Sequence, residues 1–165
     1  MAVVYFAQHE GRGKVLFDWW KGLDEDRASR AVLRRASSPT EVALTPAYQR
    51  LCRRLGVLDW TEWQQDRFAV VVGVLAHIKS HDARPPAKAM SQHSAAEDRP
   101  PVSELRFMRL LDAPDSEALF SGVRRVLPLM GSVDVIALAN DLMFWGDAVK
   151  KRWAYGYDWP EKSNR

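Results

Sequence analysis

The run Phe68–Ile78, FAVVVGVLAHI, constrains the fold of this chain more than any other stretch. Only His77 interrupts its apolar side chains. As a helix it would measure about 16 Å, far short of a bilayer core about 30 Å thick. It also has no wet side, so other elements must wrap it. We therefore read Asp59–Lys79 as the longest helix and the centre of the N-terminal half, capped by Asp59 or Thr61. Gly73 within it predicts a close helix crossing.

The rest of the chain carries the 3.6-residue period of amphipathic helices. Lys14–Leu23, Asp24–Ala36, Thr45–Gly56, Val102–Leu111, Asp115–Met130, Ser132–Trp145 and Asp147–Tyr157 each pair an apolar spacing with a start or stop signal. Asp24, Ser103 and Asp115 are N-cap candidates, and Pro46 stands at a first helical position. Gly22 falls near the end of the first helix. Ser37-Ser38-Pro39 is a stop, and Pro128 an end or a kink. In Val102–Leu111, Leu105, Met108 and Leu111 recur at helical spacing, and Phe107 and Leu110 widen that face. This predicts a helix buried around most of its girth, with one cationic strip left open. Residues 1–8 read as a short strand or an apolar lead-in. Ser80–Pro101, with two Pro-Pro pairs and Met90 as its one strong apolar residue, reads as a long exposed loop. The expected fold is all-α: a compact bundle of about seven to eight helices in two lobes, residues 1–79 and 102–165, joined by the loop 80–101. No fixed-period repeat is present.

Composition narrows the function classes. The chain has 165 residues, 47% of them hydrophobic, enough for a folded core. Cys52 is the sole cysteine, which rules out an intrachain disulfide framework and a multi-cysteine zinc site. The expected compartment is a reducing cytoplasm, with no secretory signal and no membrane partner.

Catalytic patterns are absent. There is no phosphate-cradling glycine loop, GxSxG elbow or CxxC. His77 and His81 are four apart but lack the intervening glutamate of HExxH, so two imidazoles at a helix C-terminus is the simpler reading. Cys52 has no recognisable partner histidine and reads as a small core residue. Asp24-Glu25-Asp26 reads as ordinary charge at a helix start. Trp19, Trp20, Trp60, Trp63, Trp145 and Trp153 lie on amphipathic patterns, so most read as core or helix–helix contacts, with base stacking on an exposed one as the alternative.

Charge distribution is more telling. Net charge is +3, yet Arg27–Arg54 holds seven arginines against Glu41 alone, so this stretch is +6 and the remainder −3. Of 24 basic residues, 17 are arginine, whose planar fork suits bidentate phosphate contact. Arg27, Arg30 and Arg34 fall within about 60° of one another on a helix. Arg35 adjoins them. Arg50, Arg53 and Arg54 cluster on the next helix, Arg106 and Arg109 on the helix after the loop, and Arg124 and Arg125 on the one following. Repeated cationic helix faces are the footprint of polyanion binding, and with no base-reading module the contacts would go to phosphates.

The order of motifs resembles a known family. FDWW near the start, RASRAVLRRA, the long apolar helix, VSELRFMRLL, and a terminal LANDLMFWGDAVKKRWAYGY are together similar to CasB, the small subunit of the type I-E CRISPR surveillance complex Cascade. The resemblance spans about Val15 to Tyr157. It implies an all-helical, non-enzymatic subunit without cofactor, active in antiviral defence. It also implies a head-to-tail pair of copies between the crRNA-bound backbone subunits and the large subunit. There the pair would help hold the target and displaced DNA strands and the crRNA. By motif, Arg27, Arg30, Arg34 and Arg35 stand on the RxxRxxLRR-like helix, and Arg106 and Arg109 on LRFxRLL. A helical protein–protein adaptor without nucleic-acid contact is the alternative.

Overall fold

The computed structural model describes residues 6–94, 96–97 and 99–161. Among these are ten α-helices, one 3-10 turn and no strand. The helices are α1 (Gly11–Gly22), α2 (Arg27–Arg35), α3 (Pro39–Ala43), α4 (Pro46–Leu55) and α5 (Glu62–Leu75). They continue with α6 (Pro86–Ser91), α7 (Glu104–Leu111), α8 (Ser116–Val126), α9 (Val135–Met143) and α10 (Asp147–Gly156). The all-α expectation holds. No helix among the described residues is long and apolar enough to cross a membrane.

The apolar run is the centre of the packing. In α5, Phe68 through Leu75 are all buried, enclosed by α3, α8 and α9. Its start is a capping box: Thr61 accepts from the Gln64 backbone N–H, and the Gln64 side chain accepts from the Thr61 N–H. Gly73 lies where α5 meets Phe120 of α8 and Val42 of α3. A Cβ there would overlap Phe120 Cε2 and stand 2.9 Å from Val42 Cγ2. The helix ends at Leu75 rather than Lys79. His77 and Ile78 close tighter turns onto Val74 and Leu75, and the Ile78 carbonyl accepts Trp20 Nε1 at 2.9 Å.

Two helices exceed the eight read from periodicity. Ser37-Ser38-Pro39 does stop α2, but it also starts α3: Ser38 caps the Glu41 N–H and Pro39 takes the first position. The second lies in Ser80–Pro101, which is not an exposed loop throughout. It contains α6, whose Pro86, Ala87, Ala89, Met90 and Ser91 are buried. Small alanines let α6 lie close on α10, where a Cβ on Gly156 would sit 3.4 Å from that of Ala87. Two alanines and a methionine form a burying face too weakly apolar for hydropathy to reveal.

Other boundaries also move. The first helix begins at Gly11, not Lys14, because Gly13 lets α1 press onto the Ala7 backbone, where a Cβ would overlap. Residues 1–5 of the expected lead-in lie outside the described residues. Phe6 is buried and its backbone N–H and C=O are both bonded by the Asn140 amide, at 2.8 and 2.9 Å. Asp26, not Asp24, caps α2. Pro128 sits in the 3-10 turn Leu127–Leu129 that ends α8.

The helix α7 corrects the sequence reading most. Its cap is Ser103 as expected, but only Phe107 and Leu110 are buried, while Leu105 and Met108 are 58% and 49% exposed. The helix is peripheral. Phe107 stacks on Tyr157 at 4.1 Å and Leu110 faces α8, so the helix is held from that side.

Candidate nucleic-acid interface

The α2 helix is built to show arginine. Asp26 accepts from the Ser29 N–H and fixes its start, and Leu33 is its sole buried side chain. Arg27, Arg34 and Arg35 are exposed and pair with no carboxylate among the described residues. Arg30 differs. Its side chain is only 14% exposed and reaches Asp24 at 3.0 Å, so it is turned toward protein.

Helix α4 has the same division. Thr45 caps it, Pro46 opens it, and Gly56 in a left-handed conformation closes it. Tyr48, Leu51, Cys52 and Leu55 are buried; Arg50, Arg53 and Arg54 are exposed. Ser29 hydrogen bonds hold the Asp26 carboxyl below its usual range, and Arg50 adds to this from α4. The Lys14 bond does the same at Asp18, with a smaller contribution from Arg54. Arg50 and Arg54 therefore stand near acids.

Arg124 joins the arginine helix α2 to α8. Its Nε donates to His77 Nε2 at 2.8 Å, and its two terminal nitrogens donate to the backbone carbonyls of Ala36 and Arg34. The guanidinium also lies 4.6 Å from the centre of the Phe120 ring. Arg124 thus ties the C-terminal end of α2 to α8 and to the chain leaving α5. Its neighbour Arg125 is exposed.

Arg125 faces Arg106 and Arg109 across a groove between α7 and α8 with a volume of about 700 Å³. Leu110, Ala113, Pro114, Ala118, Val126 and Leu129 supply its apolar surface. Asp112 and Ser121 also line it. None of the three arginines pairs with a carboxylate among the described residues. Periodicity could place these arginines on their own helices. It could not show that they share one groove, since that depends on the turn through Ala113-Pro114.

The two spaced histidines go separate ways. His77 accepts from Arg124, and burial with Arg124 and Arg34 close by lowers its pKa to about 4. His81 Nδ1 accepts from the Val135 N–H, and its ring lies edge-on to Phe17 at 5.0 Å. No group of three or more metal-ligating side chains occurs among the described residues. Burial pushes the Cys52 thiol up, away from the reactive thiolate. Trp20, Trp145 and Trp153 are core residues, Trp19 and Trp60 are half-buried, and Trp63 is 52% exposed.

The profile of the CRISPR-associated protein Cse2 family matches residues 29–157. The fold is similar to the crystal structure of CasB from Thermus thermophilus, with a TM-score of 0.67 and 26% identity over 90% of this chain and 98% of that one. It is equally similar to a chain in E. coli Cascade bound to a PAM-containing dsDNA target, with a TM-score of 0.68 and 25% identity over 87% and 92% of the two chains. No curated protein sequence matches the chain. A profile that covers the chain from Ser29 to Tyr157, together with TM-scores of 0.67 and 0.68 over most of both chains, carries one conclusion: the chain belongs to the Cse2, or CasB, family, the non-catalytic small subunit of type I-E Cascade.

Proposed function

We propose that this subunit binds the sugar–phosphate backbone of nucleic acid within Cascade and so stabilises the crRNA-guided R-loop. The observation that supports this is the set of exposed guanidinium groups that pair with no carboxylate among the described residues: Arg27, Arg34, Arg35 and Arg53 on α2 and α4, and Arg106, Arg109 and Arg125 on α7 and α8. R-loop formation exchanges one duplex for another of similar stability, so modest backbone contacts can tip it. Arg30 and Arg124 serve this surface from behind, by holding protein groups. Its partners would be target and displaced DNA strands, the crRNA, the large subunit, the crRNA-binding backbone subunits and a second copy of the chain.

The test is a salt titration of DNA binding. With about four phosphates neutralised, log affinity should fall with log salt at a slope on the order of −3. Reversing Arg27, Arg34 and Arg35 to glutamate should flatten that slope and weaken binding at least tenfold. Unchanged binding would remove these residues from the interface.

One surface favours protein contact instead. Leu44 and Leu58, 78% and 49% exposed, line one hollow together with Glu62 and Asp66. Acids exclude a polyanion there, and the apolar side chains suit a neighbouring subunit. The adaptor role then belongs to this corner and the nucleic-acid role to the arginine faces.

A further inference from the structure

We infer that the α7–α8 groove is a pocket for one or two unpaired nucleotides, with phosphates on Arg106, Arg109 and Arg125 and a base against the apolar floor. This rests on the polyanion reading above and goes beyond it, since sequence-blind backbone contact needs no floor. Three features carry it.

The rim comes from two helices. Arg106 and Arg109, three apart on α7, lie on one bank, and Arg125 of α8 on the other. All three are exposed and none forms an ion pair with a carboxylate among the described residues, which leaves each fork available to a phosphate.

The floor is apolar and spacious. Leu110, Ala113, Pro114, Ala118 and Val126 surround about 700 Å³ of open volume, enough for a base and its sugar. A duplex keeps its bases stacked and paired and would meet the groove only with phosphate ridges. An unstacked nucleotide can insert its base, cover the floor and leave its phosphates at the lip. Guanidinium planes can also stack on a splayed base. Asp112 repels phosphate at one end of the groove and can accept a hydrogen bond from a base amine or sugar hydroxyl.

The groove also lies next to the helix that Arg124 ties to the end of α2. Arg125 follows Arg124, which is bonded to the Arg34 carbonyl of α2. A strand running along α2 is thereby led to the groove mouth. An acidic peptide would satisfy the rim, but it has no comparable reason to arrive along an arginine track.

The test fills the floor without touching the rim. Ser121 is exposed and Ala118 half-buried in the groove wall. The full-length Ser121→Leu and Ala118→Leu chains are titrated with a labelled oligo-dT and with a duplex carrying the same number of phosphates. Thermal melts confirm folding, and Ser121→Leu serves alone if Ala118→Leu fails to fold. We expect single-strand affinity to fall five- to tenfold and duplex affinity to change less than twofold. Reversal of Arg106, Arg109 and Arg125 to glutamate should weaken both.

If floor filling leaves both affinities unchanged while arginine reversal lowers both, the pocket is overturned and the backbone reading stands. If arginine reversal changes neither, the backbone reading of these three residues falls with it. If filling instead lowers the sedimentation coefficient of the free protein with no loss of oligo-dT binding, the groove seats a second copy and the nucleotide assignment is wrong.

Discussion

Arg124 donates its Nε proton to Nε2 of His77 across 2.8 Å, so a fixed cation and a titratable ring share one hydrogen bond inside a basic surface. The bond requires His77 to be neutral, because a doubly protonated imidazole has no acceptor. It also distinguishes two arginines that adjoin in sequence. Arg124 holds the end of α2 through the Ala36 and Arg34 carbonyls, whereas Arg125 points into the groove. Arg124→Ala should cost about 2–3 kcal/mol, since hydrogen bonds from a charged donor are lost and carbonyls at the end of α2 lose a partner. Arg125→Ala should stay within about 0.5 kcal/mol in stability yet weaken DNA binding. Urea unfolding of both variants, with oligonucleotide titrations, checks this; equal destabilisation by the two would contradict the division of labour.

The same bond predicts a pH dependence. Burial, with Arg124 and Arg34 adding repulsion, lowers His77 in the folded state to about 4 from a reference of 6.5. The unfolded chain therefore takes up the proton first, and stability rises with pH across this window. The His77 contribution is fully present above about pH 6.5 and is lost as pH falls toward 4. Allowing for the solvent reaching this half-buried ring, the loss is on the order of 1–2 kcal/mol. Denaturant midpoints measured at pH 7.5 and 4.5 should differ in the wild type, and His77→Gln should shrink that difference. An equal pH slope in the variant would assign the effect to other groups.

Helix identity was legible wherever burial follows a period or a cap. Thr61, Ser103, Asp115 and Pro46 mark starts that the structure keeps, and Phe68–Leu75 is central because nothing in it can face water. Pro39–Ala43 and Pro86–Ser91 were not legible, because a helix of five or six residues has no period to read. The rotation of α7 was not legible either: five apolar residues allow two buried faces, and Tyr157, far along the chain, chooses Phe107. The arginine helices could be found from charge alone, but burial of Arg30 and capture of Arg124 depend on tertiary neighbours. The groove is of that kind too, since two helices and a turn create it.

Gly73 and Phe120 set a close approach within the core. Helix propensity alone favours alanine over glycine by about 1 kcal/mol. Here a Cβ would overlap the Phe120 ring and press on Val42 from the opposite bank, so the ring has nowhere to retreat. Overpacking of a filled core costs about 1–3 kcal/mol, which outweighs the propensity gain. Gly73→Ala should therefore lower stability by about 1–2 kcal/mol despite its helical position. Phe120→Leu withdraws the ring edge, so in that background Gly73→Ala should become neutral or stabilising. A double-mutant cycle by urea unfolding reads this as a coupling of at least about 1 kcal/mol. If Gly73→Ala stabilises the wild type, the three helices meet less tightly here than the Phe120 contact requires, and α5 has room that its complete burial otherwise denies.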